Sequence, residues 1–227
     1  QKYSIPSMIY DGSGDVAYAV TPTAGTDDAT YEAWVYKTNV TDQYKTLFAS
    51  GNYSDGGAGW VLYAGSNGGT NVGLFYGGST VLNVTGVLSA NTWHHIALTR
   101  NNGKVYLFVD GTEIGNAAHT SDWSDSILMI GANRYINSAR SAGVAPSSTN
   151  VNYSFNGNIS DARATIGKSR YPFVPLKETL TTSTSFQNGV TVTASNTKLL
   201  TCHAASVTDG SSTGHTVTAA GDAAVNN

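Results

Sequence analysis

Short apolar runs recur along the chain and are separated by turn-forming residues. Tyr31–Lys37, Trp93–Arg100 and Lys104–Val109 are typical runs, rich in aromatic and β-branched residues. No long window of the sequence has the i, i+3, i+4 apolar spacing of an amphipathic helix. Asn-Gly, Asp-Gly and Gly-Gly pairs, which form tight turns, lie between many of the runs. This pattern predicts an all-β protein, most simply an antiparallel two-sheet jelly-roll sandwich.

Two adjacent histidines, His94 and His95, lie in the first strand of a predicted hairpin. The turn of that hairpin is Asn102-Gly103, a pair that tolerates positive φ. Successive side chains of a strand leave on opposite faces, so the two rings cannot converge on one metal ion from within this strand. We therefore interpret both histidines as ordinary strand residues.

The composition narrows the classes of protein that fit. The chain has 227 residues, of which 40% are hydrophobic and only 12% are charged, with a formal net charge of −3. A weakly acidic chain without basic clusters is a poor partner for nucleic acid. No apolar run approaches the roughly 20 residues of a membrane helix, so we expect no membrane insertion. Cys202 is the only cysteine, which excludes an intrachain disulfide.

Several segments, in this order, carry a family resemblance: "MIYDGSGDVAYAV", "YEAWVY", "TWHHIALTRNNGKVYLFVDG", "ILMIGANR" and "FNGNISDARATIG". Together they resemble the laminin-G-like branch of the concanavalin A-like lectin/glucanase superfamily. The resemblance spans about residues 7–170 and implies a concanavalin A-like jelly roll. It says little about function, because that superfamily includes lectins, adhesion modules and enzymes.

The remaining residues form a separate segment of the sequence. We assign residues 1–170 to the laminin-G-like domain and residues 171–227 to a C-terminal β segment. The stretch "TKLLTCHAASVTDGSSTGHTVTAAGDAAV" resembles segments of marine phage tail-fibre and other virion proteins. It also resembles what precedes the first strand in the wider family. The segment therefore either folds back to supply a missing edge strand, which we favour, or belongs to one unit of a tandem array.

No catalytic residues are predicted. The resemblance implies that an enzyme of this fold would carry a Glu-x-Asp-x-x-Glu motif, in which two carboxylates of one strand approach each other. The chain has three glutamates, Glu32, Glu113 and Glu178, and none lies in such a motif. We expect a non-enzymatic protein.

The resemblance implies a structural Ca²⁺, because many of these sandwiches hold one where an early Asp-Gly turn meets a late Ile-x-Asp-x-Arg strand. The corresponding residues are Asp11, Gly12 and Asp161, with Asp15 nearby. Carboxylates and turn carbonyls are the hard oxygen ligands that Ca²⁺ prefers. Alternatively, Asp11 only begins a turn, and Asp161 pairs with a cation such as Arg163.

Aromatic residues beside polar or glycine-rich loops are candidates for stacking on a sugar ring. Trp34 and Trp93 lie inside the strongest strand motifs, so we expect them in the core. Trp60 and Trp123 lie beside such loops. With them, three of the tyrosines complete the predicted carbohydrate-binding residues: Trp60, Tyr63, Tyr76, Trp123 and Tyr135.

The sequence favours a non-catalytic module on a virion surface or in the extracellular space. Its most specific form is a phage appendage or capsid-decoration protein that contacts host-surface glycans. The expected partners are a cell-surface glycan or other virion proteins, with homo-oligomers as a further option. Two alternatives remain: a purely structural assembly protein, and a fragment of a secreted glycan-active enzyme.

Overall fold

The computed structural model describes residues 6–51, 59–66, 68–134, 145–170, 181–182, 184–185, 191–204 and 206–226. Two antiparallel sheets form the framework of this part of the chain. Within the described ranges, the only helix is a single 3₁₀ turn, Ala194–Asn196. No helix in that part of the chain is long and apolar enough to cross a membrane. The prediction of an all-β, antiparallel two-sheet jelly-roll sandwich is confirmed.

Sheet A has eight strands, in the order β10-β9-β8-β3-β14-β1-β19, with β17 paired to β14 beside β1. Its strands are β1 (Ser7–Asp11), β3 (Ala29–Lys37), β8 (Thr92–Asn101), β9 (Lys104–Val109), β10 (Thr112–Ala118), β14 (Asn156–Ile166), β17 (Thr197–Thr201) and β19 (Ala224–Asn226).

Sheet B has seven strands, in the order β18-β2-β11-β4-β5-β6-β7. Its strands are β2 (Val16–Val20), β4 (Thr46–Ser50), β5 (Trp60–Ala64), β6 (Val72–Tyr76), β7 (Ser79–Val84), β11 (Ile127–Ile130) and β18 (Val217–Ala220). Two further pairs of short antiparallel strands are β12 (Asn133–Arg134) with β13 (Val151–Asn152), and β15 (Thr184–Ser185) with β16 (Thr191–Val192).

Side-chain alternation in β3 decides which residues enter the core. Tyr31, Ala33 and Val35 point between the sheets and belong to the main hydrophobic cluster. Trp34 and Tyr36 leave on the opposite face and remain partly exposed. Because a strand has a period of two, this register fixes the outer face of sheet A.

Residues from the C-terminal part of the chain lie in both sheets. In sheet A, Met8 of β1 pairs with Val225 of β19, and in sheet B, Ala19 of β2 pairs with Val217 of β18. Cys202, which follows β17, is buried in the main core. The tail and the N-terminal strands therefore share the same two sheets, whereas the predicted boundary at residue 170 stays a prediction.

Candidate functional site

Two of the predicted sugar-stacking residues lie inside the core. Trp60 and Trp123 are each 1% exposed, and their ring centroids are 5.0 Å apart. The Trp123 indole donates from Nε1 to Nε2 of His119 at 3.0 Å, and the Arg100 guanidinium lies 4.1 Å from the centroid of its ring. Neither indole offers a free face to a sugar, so the structure corrects the expected exposure of both residues.

Two other candidates have different outcomes. The Tyr76 side chain is partly exposed at the end of β6, where its hydroxyl donates to the carbonyl of Asp122 at 3.0 Å. Its ring packs edge-on against His119, with the centroids 4.9 Å apart. Tyr135 lies outside the described residues. Tyr76 therefore borders the buried indoles rather than forming a separate platform.

Tyr63 is the centre of a second group of rings, on the outer face of sheet B. We call Tyr44, Tyr63, Phe75 and Tyr153 the tyrosine cluster. The ring of Tyr63 lies 5.7 Å from that of Tyr44, 5.3 Å from that of Phe75 and 6.0 Å from that of Tyr153. Tyr63 itself is buried, whereas the three surrounding rings are partly exposed. Of the four predicted residues that the structure describes, Tyr63 alone contributes to this face.

Two tyrosines of the cluster have strained backbones. Tyr44 and Tyr153 have φ of 55° and 52°, in the left-handed region that non-glycine residues seldom adopt. Their rings lie 5.5 Å apart, and the backbone N–H of Thr46 donates to the carbonyl of Tyr153 at 2.9 Å. Strain of this kind persists only where surrounding contacts fix it, and it is frequent at ligand sites.

Polar groups adjoin the tyrosine cluster. Asn133 donates from Nδ2 to the hydroxyl of Tyr63 at 3.1 Å. Thr46 pairs with Tyr63 across β4 and β5, so both side chains leave on the same face. In the described part of the chain, Oδ1 of Asn133 and Oγ1 of Thr46 are buried and have no hydrogen-bond partner. Such atoms are uncommon in native proteins, and a bound ligand or water accounts for many of them.

A separate aromatic surface lies on the outer face of sheet A. Trp34 and Tyr36 of β3 and Trp93 of β8 are all partly exposed there. Tyr36 pairs with Trp93 across the strands, and their ring centroids are 5.6 Å apart. The sequence placed Trp34 and Trp93 in the core. In β3, the alternation of residues could have shown that Trp34 points outward. Trp34 and Tyr36 share one face of the strand with the carboxylate of Glu32.

A buried ionic cluster occupies the same face of sheet A. Glu32 accepts hydrogen bonds from Nε and Nη2 of Arg163 at 2.8 and 2.6 Å. Its carboxylate also lies 3.3 Å from Nε2 of His95 and 3.5 Å from Nε of Arg170. Burial by itself would raise the pKa of Glu32, but Arg163, His95 and Arg170 together lower it to about 2. A permanently ionised, enclosed carboxylate is unsuited to general-acid catalysis.

His94 and His95 leave β8 on opposite faces. His94 pairs with core-directed Val35, and His95 pairs with outward-directed Trp34. Nδ1 of His94 lies 2.7 Å from Oδ2 of Asp110. His95, by contrast, adjoins Glu32 in the ionic cluster. The two rings therefore have separate hydrogen-bonding environments, as the strand interpretation requires.

The predicted metal ligands are not brought together as a set. Asp11 pairs with Asn156, and Asp161 lies five residues further along β14, about 16 Å away at the rise of a strand. Asp161 has φ of 51° at a register shift between β14 and β3, and its N–H donates to the carbonyl of Cys202 at 3.0 Å. Its position is therefore that of a β-bulge residue, distant from the turn of Asp11 and Gly12.

A different acidic group surrounds Asp11. One ligand atom from each of Asp11, Asp15 and Asp222 lies within 4.8 Å of the others. Oδ2 of Asp15 accepts from the N–H of Asp11 at 2.7 Å, and Oδ1 accepts from the N–H of Asp222 at 2.9 Å. Burial raises the pKa of Asp15, and the nearby side chains of Asp222 and Asp11 raise it further. Carboxylate oxygens suit Ca²⁺ as ligands. The third residue of the group, Asp222, comes from the C-terminal segment, far from Asp11 and Asp15 in the sequence.

Comparison with known proteins identifies the family. Residues 11–165 match the laminin G model of the concanavalin A-like lectin/glucanases superfamily. The chain belongs to this superfamily. No curated protein sequence matches this concanavalin A-like chain. The resemblance drawn from the strand motifs is thereby confirmed, whereas the resemblance of the tail to phage tail-fibre proteins stays a prediction.

Solved structures share the concanavalin A-like fold at low sequence identity. A protein from Bacteroides ovatus, provisionally named a carbohydrate binding protein, is 16% identical with a TM-score of 0.59. The alignment covers 98% of this chain but only 60% of that protein. Domains LG4-5 of the mouse laminin alpha1 chain are 15% identical with a TM-score of 0.50, over 76% of this chain and 44% of theirs. Identities this low show the fold alone.

Proposed function

We propose that this concanavalin A-like domain is a non-catalytic glycan-binding module and that the glycan contacts the tyrosine cluster. The observation that carries the proposal is the combination of partly exposed rings with buried, unsatisfied polar atoms. Tyr44 and Tyr153 present their rings beside Tyr63, and Asn133 and Thr46 supply the polar atoms. Ligand sites typically combine an apolar wall with a few placed polar groups.

The chemistry of sugars matches this combination. A pyranose has an apolar face of C–H groups that packs on an aromatic ring, and its rim of hydroxyls both donates and accepts hydrogen bonds. Stacking on Tyr44 or Tyr153 would bring those hydroxyls towards the polar edge of the cluster. Pairing a buried polar atom that lacks a partner is favourable by about 1–3 kcal/mol, so these hydroxyls would add both affinity and orientation.

The proposed setting is a virion surface or the extracellular space. The resemblance of the tail to tail-fibre segments supports a phage appendage or capsid-decoration protein that contacts host-surface glycans. The low charged fraction of 12% also suits an exposed β-rich module. A structural assembly protein without glycan affinity and a fragment of a glycan-active enzyme are the alternatives, and the enclosed position of Glu32 disfavours the enzyme.

We also propose that Asp11, Asp15 and Asp222 hold a structural Ca²⁺ through their carboxylate oxygens. The support is the proximity of the three side chains and the raised pKa of Asp15, because a cation would offset the mutual repulsion of the carboxylates. Asp161, which the sequence placed in this site, is excluded from the proposal by its position on β14. Bound Ca²⁺ would link the turn after β1 to the C-terminal segment.

Binding to a glycan array, followed by titration calorimetry with the best oligosaccharide, tests the proposed function. Tyr44→Asn and Tyr153→Asn remove the rings while keeping a residue that tolerates positive φ. Each variant should weaken binding at least tenfold, while Tyr36→Ala, on the outer face of sheet A, should bind as the parent does. Loss of binding in Tyr36→Ala alone would move the site to sheet A. An array without any binding would favour the structural alternative.

A further inference from the structure

Arg134 is a buried arginine whose hydrogen-bonding groups are largely unused. It follows Asn133 in β12, and the whole residue is 8% exposed. Nη1 lies 3.9 Å from Oδ2 of Asp125, too far for a hydrogen bond. Within the described residues, Nε and Nη2 are buried and have no hydrogen-bond partner. These two atoms form one planar edge of the guanidinium, with two parallel donors.

Two other buried arginines of the fold, Arg163 and Arg100, have that edge filled. Arg163 donates from Nε and Nη2 to Oε1 of Glu32. Arg100 donates from Nε to the carbonyl of Asp27 at 2.7 Å and from Nη2 to the carbonyl of Gly25 at 2.8 Å. A buried donor that loses its hydrogen bonds to water destabilises the protein, especially when it is charged. The edge of Arg134 is therefore suited to a partner that the described part of the chain does not supply.

Asp125 is held in position near Nη1, the third nitrogen of the Arg134 guanidinium. Its backbone carbonyl accepts from Oγ of Ser50 at 3.0 Å, and Oδ1 accepts from the N–H of Ile127 at 2.7 Å. Oδ2 is the oxygen that faces Arg134. The pair thus offers two donors from the arginine and one acceptor from the aspartate, in fixed positions.

We infer that Arg134 and Asp125 form a subsite for adjacent hydroxyl groups of a neutral sugar. The guanidinium edge donates to two neighbouring sugar oxygens, and Oδ2 of Asp125 accepts from a hydroxyl. This inference rests on the proposed function, because it specifies the class of glycan bound beside the tyrosine cluster. Asn133, the neighbour of Arg134 in β12, holds the hydroxyl of Tyr63. Arg134 itself pairs with Val151, two residues before Tyr153.

The charges of the pair favour a neutral sugar over an acidic one. Arg134 and Asp125 carry opposite charges, so the pair is already balanced. A carboxylate of a uronic acid would fit the guanidinium edge but would introduce a second negative charge near Asp125, where repulsion is strong because water is largely excluded. Hydroxyl groups add no charge, and they both donate and accept.

Titration calorimetry with neutral oligosaccharides and matched uronic acid oligosaccharides, chosen from the array, tests the inference. Arg134→Lys keeps the positive charge but loses the planar edge, and Asp125→Asn keeps the size but loses the charge. Each should weaken neutral-sugar binding about tenfold, the value of one well-placed hydrogen bond. Asp122→Asn, in the same loop but exposed, should bind as the parent does. Thermal melts of each variant verify folding, and Arg134→Gln replaces any lysine variant that fails to fold.

The outcomes separate the inference from the proposed function. If Tyr153→Asn loses binding while Arg134→Lys and Asp125→Asn keep it, solvent alone fills the edge of Arg134. The inference then fails and the proposed function stands. A parent protein that prefers the uronic acid series also overturns the inference, in favour of a carboxylate ligand. If the parent binds no sugar, both fail together.

Discussion

Arg163 contacts Glu32 through both Nε and Nη2, which converge on a single carboxylate oxygen at 2.8 and 2.6 Å. The two side chains come from adjacent strands, since Arg163 of β14 pairs with Glu32 of β3. Both are buried, and His95 and Arg170 complete the surroundings of the carboxylate. This ion pair therefore joins the two central strands of sheet A on their outer face.

The lowered pKa of Glu32 predicts sensitivity to acid. Its pKa is about 2 in the folded protein, compared with an ordinary value of 4.5. At a pH between about 2 and 4.5, Glu32 is protonated in the unfolded chain but ionised in the folded protein. The stabilising contribution of Glu32 is therefore complete above about pH 4.5 and is lost as the pH falls through 2. Urea unfolding between pH 7 and pH 2 should show this loss of free energy.

Replacing Glu32 tests whether this carboxylate is responsible for the loss of stability at low pH. Glu32→Gln should lower the free energy of unfolding at pH 7 by roughly 3–5 kcal/mol, because it leaves buried arginines without their counter-charge. It should also flatten the dependence of stability on pH below 4.5. Glu113→Gln, in exposed β10, should keep the parental dependence. An unchanged acid profile in Glu32→Gln would assign the sensitivity to other carboxylates.

Two tryptophans on different faces should differ in their contribution to stability. Trp123→Ala removes a ring that is 1% exposed and should cost roughly 3–5 kcal/mol. Trp93→Ala removes a partly exposed ring on the outer face of sheet A and should cost about 1–2 kcal/mol. Urea unfolding of both variants compares the two values. Equal losses would contradict the outward position of Trp93.

The pairing of the tail predicts association when the tail is removed. Deleting residues 217–227 takes away β18 and β19 and exposes the edges of β2 and β1. Unpaired strand edges recruit other chains, so sedimentation should show dimers or larger species.

A charged residue at the exposed edge supplies the control for this deletion. Ile9 pairs with Ala224 and is 41% exposed even in the full chain. Adding Ile9→Lys to the deletion should restore monomers, because an edge lysine opposes strand pairing between chains. A truncated protein that remains monomeric and melts at the parental temperature would show that β18 and β19 are not needed to protect the edges of β2 and β1.

Calcium should stabilise the protein through the turn after β1. At a free concentration one hundred times Kd, a ligand that binds the native state alone adds about 2.7 kcal/mol. Thermal melts with Ca²⁺ and with EDTA should therefore differ in the parent, and Asp11→Asn should reduce the difference. Asp161→Asn is the matched control, since it alters a carboxylate outside the group, and its response to Ca²⁺ should remain. Identical melting temperatures of the parent in Ca²⁺ and in EDTA would contradict the proposed site.

The architecture could be predicted from the sequence because strand patterns are local. Alternating residues in β3 and the Asn102-Gly103 turn between β8 and β9 are encoded within a few positions. β10 and β17 are harder to predict, because Thr112–Ala118 and Thr197–Thr201 contain few large apolar residues. Their pairing with β9 and β14 depends on partners that the local pattern does not show.

The candidate site was less predictable, because burial depends on contacts between distant segments. Trp60 and Trp123 lie beside polar loops in the sequence, yet the fold stacks them against each other between the sheets. Asp222 reaches Asp15 only through the return of the tail. The unused edge of Arg134 likewise becomes visible only when the partners of every buried arginine are known.

The antiparallel pairing of Ser7 with Asn226 has a mechanical consequence. Because these residues face each other at the same end of β1 and β19, a force pulling on both would open the hydrogen bonds one after another. Bonds that open in series resist less than bonds that are sheared together. The tail would then peel from the sheet edge at low force while the central strands stay folded, and single-molecule pulling from residues 7 and 226 should record this release as its first step. A module loaded in this way would lengthen under tension before it unfolds.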